Sequence, residues 1–341
     1  MDFSGADFTQ LRKKLTQPAE RVLILSHRNP DGDAIGASLG LGNALMNLGH
    51  KVKILIPNAI PKFLKWMPGA SDIFIYNHDK RRATDLLKKA NLLFALDFND
   101  LSRIREFNDI LQENKCYKVL IDHHPDPGSF ADLTLSDTSA SSTAELVYHF
   151  LLNMEFQHLI DQDVATCLYA GIMTDTGCFS FNSSRPGTFR TVAQLLESGI
   201  DKDYIFDKVY DNFSADRMRL MGYCLDKKMV FLPEYQTAYI ALSQEELKQY
   251  NFKVGDSEGF VNLPLSIKGV NFSALIIENK DCVKLSFRSK GNFAVNQLAA
   301  DHFSGGGHMN AAGGESSDSL QETVRKFVNL LPNYIHASDF E

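Results

Sequence analysis

The first half of the chain alternates short, largely β-branched apolar runs with longer amphipathic stretches, and that alternation leaves few folds open. Val22-Leu23-Ile24-Leu25, Val52-Lys53-Ile54-Leu55-Ile56, Ile73-Phe74-Ile75-Tyr76, Leu92-Leu93-Phe94-Ala95-Leu96 and Val119-Leu120-Ile121 are bounded by Asp, Asn, Pro and Gly. Such runs read as strands buried on both faces. The stretches between them, such as the Gly/Ala-rich segment from Ala34 to Leu48, read as crossover helices. The expectation is an α/β fold: an open, mainly parallel sheet with flanking helices.

Two more helices follow. Ser142-Thr143-Ala144-Glu145 has the form of a capping box opening Leu146–Leu152, and Asp161 to Met173 carries apolar positions at helical spacing. Arg185-Pro186-Gly187 breaks the pattern and begins a charged helical stretch ending at Asp226-Lys227-Lys228. From Met229 the character changes to short strands (Val230–Leu232, Ala238–Ala241, Ser273–Ile277, Val283–Phe287) with helices near Val295–His302 and Ser319–Leu330. The expected domains are 1–185, a helical linker over 186–228, and a smaller α+β domain over 229–341.

Charge narrows the function. Lys+Arg 35 against Asp+Glu 42 gives a net charge of −7, which disfavours a protein that wraps long duplex nucleic acid. The chain grips small anions, if any, through local cations or metal ions. The five cysteines are widely spaced, with no C-x-x-C pair, and read as reduced core thiols. No long apolar run suggests a membrane span, so a soluble, cytoplasmic protein is expected.

Three acid/histidine clusters fall at the carboxyl ends of expected strands, where open α/β sheets bind ligands. His27-Arg28-Asn29-Pro30-Asp31-Gly32-Asp33 follows the first, Asp97 ends the fourth, and Asp122-His123-His124 ends the fifth. Thr174-Asp175-Thr176-Gly177 closes the helix after Asp161. Singly, a D-x-D is usually a solvated turn, and a His-His pair is more often surface or core than ligand. Jointly, His27, Asp31, Asp33, Asp97, His123 and Asp175 supply two imidazoles and four carboxylates, which would repel strongly without cations. Two divalent ions neutralise four negative charges. The mixed His/Asp set suits Mn²⁺ first, with Mg²⁺, Fe²⁺ or Co²⁺ as competitors. Two ions ~3.5–4 Å apart form the arrangement that cleaves phosphate esters. A second signal, Gly305-Gly306-Gly307-His308-Met309-Asn310-Ala311-Ala312-Gly313-Gly314, reads as a Gly-rich loop whose amides can approach an anion. It is not a Walker loop. Arg288, in Phe287-Arg288-Ser289, could clamp a phosphate.

Together these residues resemble the DHH superfamily of phosphoesterases, named for the motif that Asp122-His123-His124 reproduces; Gly305–His308 matches the G-G-G-H loop of its DHH-associated C-terminal domain. Length and layout are similar to the nanoRNase/pAp-phosphatase type. That type removes nucleotides from very short oligonucleotides and dephosphorylates 3′-phosphoadenosine 5′-phosphate (pAp). The resemblance implies one metal held by His27, Asp31 and Asp97, and a second held by Asp33, Asp97, His123 and Asp175, with Asp97 bridging. It implies that Asp122 orients a ligand histidine and that His124 faces the scissile phosphate and assists the leaving oxygen. Arg288, Ser289, Gly306, Gly307 and His308 match positions that bind the substrate's distal phosphate or nucleotide. The implied partners are short single-stranded RNA or DNA and small nucleotides, with no long duplex and no membrane; homodimers are common for the type. Competing activities are cyclic or linear dinucleotide phosphodiesterase and exopolyphosphatase, and a reading from another class is a non-catalytic nucleotide sensor.

Overall fold

In the computed structural model, which describes residues 7–16 and 20–334, the apolar runs of the first half lie side by side in one sheet. Its strands are β1 (Arg21–Leu25), β2 (Lys51–Ile56), β3 (Phe74–Ile75), β4 (Leu92–Leu96), β5 (Tyr117–Asp122) and β6 (Leu133–Ser136). Their order is β3-β2-β1-β4-β5-β6, and every pair is parallel. Successive side chains alternate across a sheet. Val22, Ile24, Phe94, Leu96, Val119 and Ile121 enter one core while Leu23, Leu25, Leu93, Ala95 and Leu120 enter the other. Burial on both faces removes the polar alternation from these runs. Two edge strands depart from expectation. β3 is shorter than the run Ile73–Tyr76, and β6, with Thr134 exposed between buried Leu133 and Leu135, carries too weak an apolar signal to stand out.

The helices of this unit are α1 (Thr9–Leu15), α2 (Gly32–Asn47), α3 (Lys80–Lys89), α4 (Asn108–Glu113), α5 (Thr143–Asn153), α6 (Gln162–Asp175), α7 (Pro186–Glu197) and α8 (Lys202–Tyr210). Helices α3 and α4 cover one face through Ala83, Leu87 and Leu111, and α2, α5 and α6 cover the other. Helix α2 lies hard against α6 because glycines face each other: a Cβ on Gly36 would stand 2.6 Å from the Cys167 carbonyl oxygen and 2.8 Å from the Gly171 Cα. From β1 the chain crosses to β2 on one side, and from β4 it crosses to β5 on the other. The topological switch point therefore falls between β1 and β4, where ligands of such sheets bind.

The chain divides into two compact units, residues 1–212 and 213–341. The stretch 186–228 is helical; Val192 and Leu195 of α7 and Ile205 and Val209 of α8 are buried in the core of the first unit. The second unit contains α9 (Ala215–Tyr223), β7 (Met229–Leu232), β8 (Thr237–Leu242), α10 (Gln244–Gln249), β9 (Phe272–Glu278), β10 (Val283–Ser289), α11 (Val295–His302), β11 (Gly306–His308), β12 (Ala311–Ser316) and α12 (Leu320–Tyr334). Its mixed sheet runs β11-β12-β10-β9-β8-β7, with only β8 and β9 parallel. The segment 305–314, expected as a loop, is a tight β-hairpin: Gly306 pairs with Gly313, Gly307 with Ala312 and His308 with Ala311. A Cβ on Gly305 would meet the Gly313 carbonyl at 2.0 Å, and one on Gly307, whose φ is +144°, would meet the Ala311 carbonyl at 2.5 Å. Close approach of two backbones accounts for these two glycines. Among the described residues, no helix is long and apolar enough to cross a membrane.

Candidate metal centre

Beyond β1 the chain turns through Asn29, at φ +55°, and that loop is pinned by paired side-chain amides. Asn58 accepts from the Asn29 amide at 2.6 Å and donates to the Asn29 side-chain oxygen at 2.8 Å. Asp31 then caps α2 by accepting from the Ala34 amide at 3.0 Å, which leaves Asp33 in the first turn, buried. At the end of β4, Asp97 takes a left-handed conformation (φ +65°), with its amide bonded to Ile121. A non-glycine residue rarely adopts that conformation outside a constrained site. At the end of β5, Asp122 stays in the strand, and His123 and His124 follow it.

These segments meet. His27 Nε2 lies 3.3 Å from Asp97 Oδ2, and its Nδ1 is 2.8 Å from the Arg28 carbonyl, to which it donates. His123 Nε2 is 3.5 Å from Asp175, 3.7 Å from Asp97 and 3.9 Å from Asp33. Ligand atoms of His27, Asp31 and Asp97 lie within 4.8 Å of one another, as do those of Asp33, His123 and Asp175 and those of Asp97, Asp122 and His124. All six expected ligand residues thus gather at the switch point, with Asp31 exposed and the others buried or half-buried.

The electrostatics follow from this crowding. Burial, and then the charges of Asp97, Asp175 and Asp31, raise the pKa of Asp33 well above the usual carboxylate range, against the pull of the Ala144 amide. Burial also works to raise Asp97, but the His27 hydrogen bond and the charges of His27, His124 and His123 outweigh it and hold the carboxyl below the usual range. For His27, burial is outweighed by the Asp97 hydrogen bond and the Asp31 and Asp97 charges, so its pKa rises. Both raised values favour the protonated form, as crowded carboxylates that want positive charge do. Oxygen and imidazole donors with no thiolate fit hard or borderline divalent cations, and the donation from Nδ1 to a carbonyl leaves the His27 Nε2 lone pair for such an ion once its proton departs.

The sequence reading missed what holds the carboxylates. The Thr143 and Ala144 amides, at the N-terminus of α5, donate to the two oxygens of Asp33 at 2.6 and 2.8 Å, and the Thr143 hydroxyl donates to Asp97 at 3.0 Å. The signal was present in Ser142-Thr143-Ala144-Glu145, but only half of the expected capping box forms. Ser142 accepts from the Glu145 amide at 3.0 Å, while the Glu145 carboxylate accepts from the amide and hydroxyl of Ser141 at 2.9 and 2.7 Å and from Thr188 on α7.

In the second unit, strand register decides which expected residues share a face. Arg288, Ala311 and His308 stand in one row across β10, β12 and β11, and Ser286, Gly313 and Gly306 stand in the next row on that face. Phe287 and Ala312 enter the core on the opposite face, where Gly307 also stands. Ser289 belongs to that opposite face as well, and it is buried. It donates to the Phe293 carbonyl at 2.7 Å and accepts from Asn310 at 2.9 Å. Gly306 differs from its neighbours, because a Cβ there would meet nothing within 4 Å.

Comparison with known proteins agrees with these two units. Residues 21–172 match the DHH family, N-terminal domain, and residues 234–337 match the DHHA1 domain. The chain is 31% identical to the bifunctional oligoribonuclease and PAP phosphatase NrnA of Thermus thermophilus, over 90% of this chain and 89% of that one. It is 27% identical to the NrnA of Bacillus subtilis, over 91% and 94%. The crystal structure of an exopolyphosphatase-related protein from Bacteroides fragilis superposes with a TM-score of 0.92 at 43% identity, covering 96% of this chain and 97% of that one. The chain belongs to the DHH family of phosphoesterases, with a DHHA1 domain in its C-terminal part.

Proposed function

We propose that the chain is a two-metal phosphoesterase that hydrolyses short oligoribonucleotides to mononucleotides and pAp to AMP. The observation that carries this reading is the meeting of His27, Asp31, Asp33, Asp97, His123 and Asp175 from four chain segments at one switch point. The NrnA relatives, matched over about nine-tenths of their length, supply the substrate class. His27, Asp31 and Asp97 hold one divalent cation and Asp33, Asp97, His123 and Asp175 a second, Mn²⁺ by preference and Mg²⁺ or Co²⁺ in its place. Bound there, the cations acidify a water nucleophile and offset charge on the phosphate oxygens. Asp122, expected to orient a ligand histidine, accepts the Nδ1–H of His124 at 2.7 Å and so orients that ring, whose Nε2 in this reading passes a proton to the leaving oxygen. In this reading the unit 1–212, which carries the metal centre, is catalytic and the unit 213–341 binds substrate, while the expected linker 186–228 gives α7 and α8 to the core of the first. In the second unit, Arg288, Gly306 and His308, on one face, take a phosphate or nucleotide of the substrate, Gly307 offers only its backbone, and Ser289 acts from the opposite face by holding the turn at Asn310.

The test is a Mn²⁺-supplemented assay of RNAs from two to ten nucleotides, pAp, cyclic di-AMP and polyphosphate at equal concentration. The reading expects mononucleotide release from the shortest RNAs and AMP from pAp to be fastest. Preference for polyphosphate or cyclic di-AMP would replace the substrate assignment, and binding without metal-dependent release would replace the enzyme by a sensor.

A further inference from the structure

Asp33 and Asp97 belong to different crossovers, are both buried, and repel one another. One residue bonds to both. The Thr143 amide donates to Asp33 Oδ2 at 2.6 Å and its hydroxyl donates to Asp97 Oδ1 at 3.0 Å, and Thr143 is itself fully buried. With the Ala144 amide on Asp33 Oδ1, each oxygen of Asp33 has one lone pair taken by the backbone and one left over. Asp97 is oriented likewise, with Oδ1 on the Thr143 hydroxyl and Oδ2 toward His27. The terminal torsion of an aspartate is otherwise broad, so two fixed contacts decide which lone pairs face the site.

We propose that Thr143 is the positioning residue of the metal centre, setting the spacing and orientation of Asp33 and Asp97 so that the pair accepts two cations. This rests on the metal reading above. Thr143 has little freedom of its own. The preceding Ser141 is tied by amide and hydroxyl to the buried Glu145 carboxylate, which also accepts from Thr188 on α7. The start of α5 is therefore anchored on the side away from the aspartates and presents one amide and one hydroxyl on the near side. Outer partners of metal ligands commonly change metal affinity ~10–100-fold.

Thr143→Val removes the hydroxyl, keeps the shape and leaves the amide to Asp33 in place; Thr143→Ser restores the donor. Mn²⁺ binding to each is measured by titration calorimetry, with the melting temperature of the metal-free protein as a second readout. The proposal expects Thr143→Val to raise the Mn²⁺ Kd by ~10–100-fold or to lose one equivalent. It also expects Thr143→Ser to recover most of the loss, with metal-free melting little changed for either variant. An unchanged Kd and stoichiometry in Thr143→Val overturns the proposal, and so does a loss confined to melting temperature, which marks a merely structural hydroxyl. If the unsubstituted protein binds no Mn²⁺, Mg²⁺ or Co²⁺, the metal reading itself falls and takes this one with it.

Discussion

Asp122 accepts the Nδ1–H of His124 at 2.7 Å where β5 ends, and among the described residues the other oxygen of that fully buried carboxylate has no hydrogen-bond partner. An ionised carboxylate only accepts, so the pair admits a single tautomer of His124 or its protonated form. Asp122→Asn keeps the shape but lets the side chain donate, which turns Nδ1 into the acceptor and removes the charge that supports an imidazolium. We expect kcat on a dinucleotide to fall ~10²–10⁴-fold with KM and bound metal near their original values. Steady-state kinetics with metal analysis of the same samples checks this. A kcat within threefold of the parent would remove His124 from proton transfer.

Proton and cation compete for the same positions. In the metal-free protein, Asp33 and His27 both have raised pKa values, so both bind protons more readily than an unfolded chain does. Cation binding must displace those protons and therefore strengthens as pH rises. The gain in melting temperature on adding Mn²⁺ to chelator-treated protein should be larger at pH 8 than at pH 6, and calorimetry in buffers of different ionisation enthalpy should show proton release. Asp33→Asn should diminish both effects. A pH-independent shift would mean that the cation binds elsewhere.

Glu145 has the opposite sign. Burial works to raise its pKa, but contacts from His149, Ser141 and Thr188 outweigh that and hold it at about 2, against an ordinary 4.5. A depressed folded-state value stabilises the protein above the unfolded pKa. That contribution is lost as pH falls from about 4.5 toward about 2. Melting temperature measured across this window should drop more steeply in the parent than in Glu145→Gln. At neutral pH the variant should be less stable by ~1–3 kcal/mol, because it leaves a buried donor facing an amide NH₂. Equal slopes would show that Glu145 is not ionised in the folded protein.

The clusters after His27, at Asp97 and at Asp122 were readable because ligands of an open parallel sheet sit at strand ends, and strand ends were marked by abrupt polar residues. Two things were not readable. The Thr143 contacts to Asp33 and Asp97 join residues 110 and 46 positions apart, and no local pattern encodes such a pairing. The 305–314 hairpin was hidden because glycine carries no strand preference of its own. Pairing of Gly306 with Gly313 and Gly307 with Ala312 comes from tertiary context, with β12 already laid on β10. Ser289 shows the same limit: adjacent to Arg288 in sequence, it stands on the other face of the sheet, as strand alternation requires.

The same hairpin separates glycines needed for the fold from a glycine free for another use. A side chain at Gly305 would be driven into the Gly313 carbonyl, so Gly305→Ala should destabilise the second unit by more than ~2 kcal/mol. A side chain at Gly306 meets open space, on the face where Arg288 and His308 flank Ala311, so Gly306→Val should change stability by less than ~0.5 kcal/mol. If that bare strand is where a substrate phosphate or nucleotide lies against the backbone, the valine methyl groups occupy its place. KM for short RNA should then rise at least ~10-fold while metal binding stays as in the parent, since one well-placed clash costs above ~1.4 kcal/mol. Denaturant melts and KM measured on both variants decide it. A Gly306→Val protein with parental KM would take the substrate off this face of β11 and leave Arg288 and His308 without a common ligand.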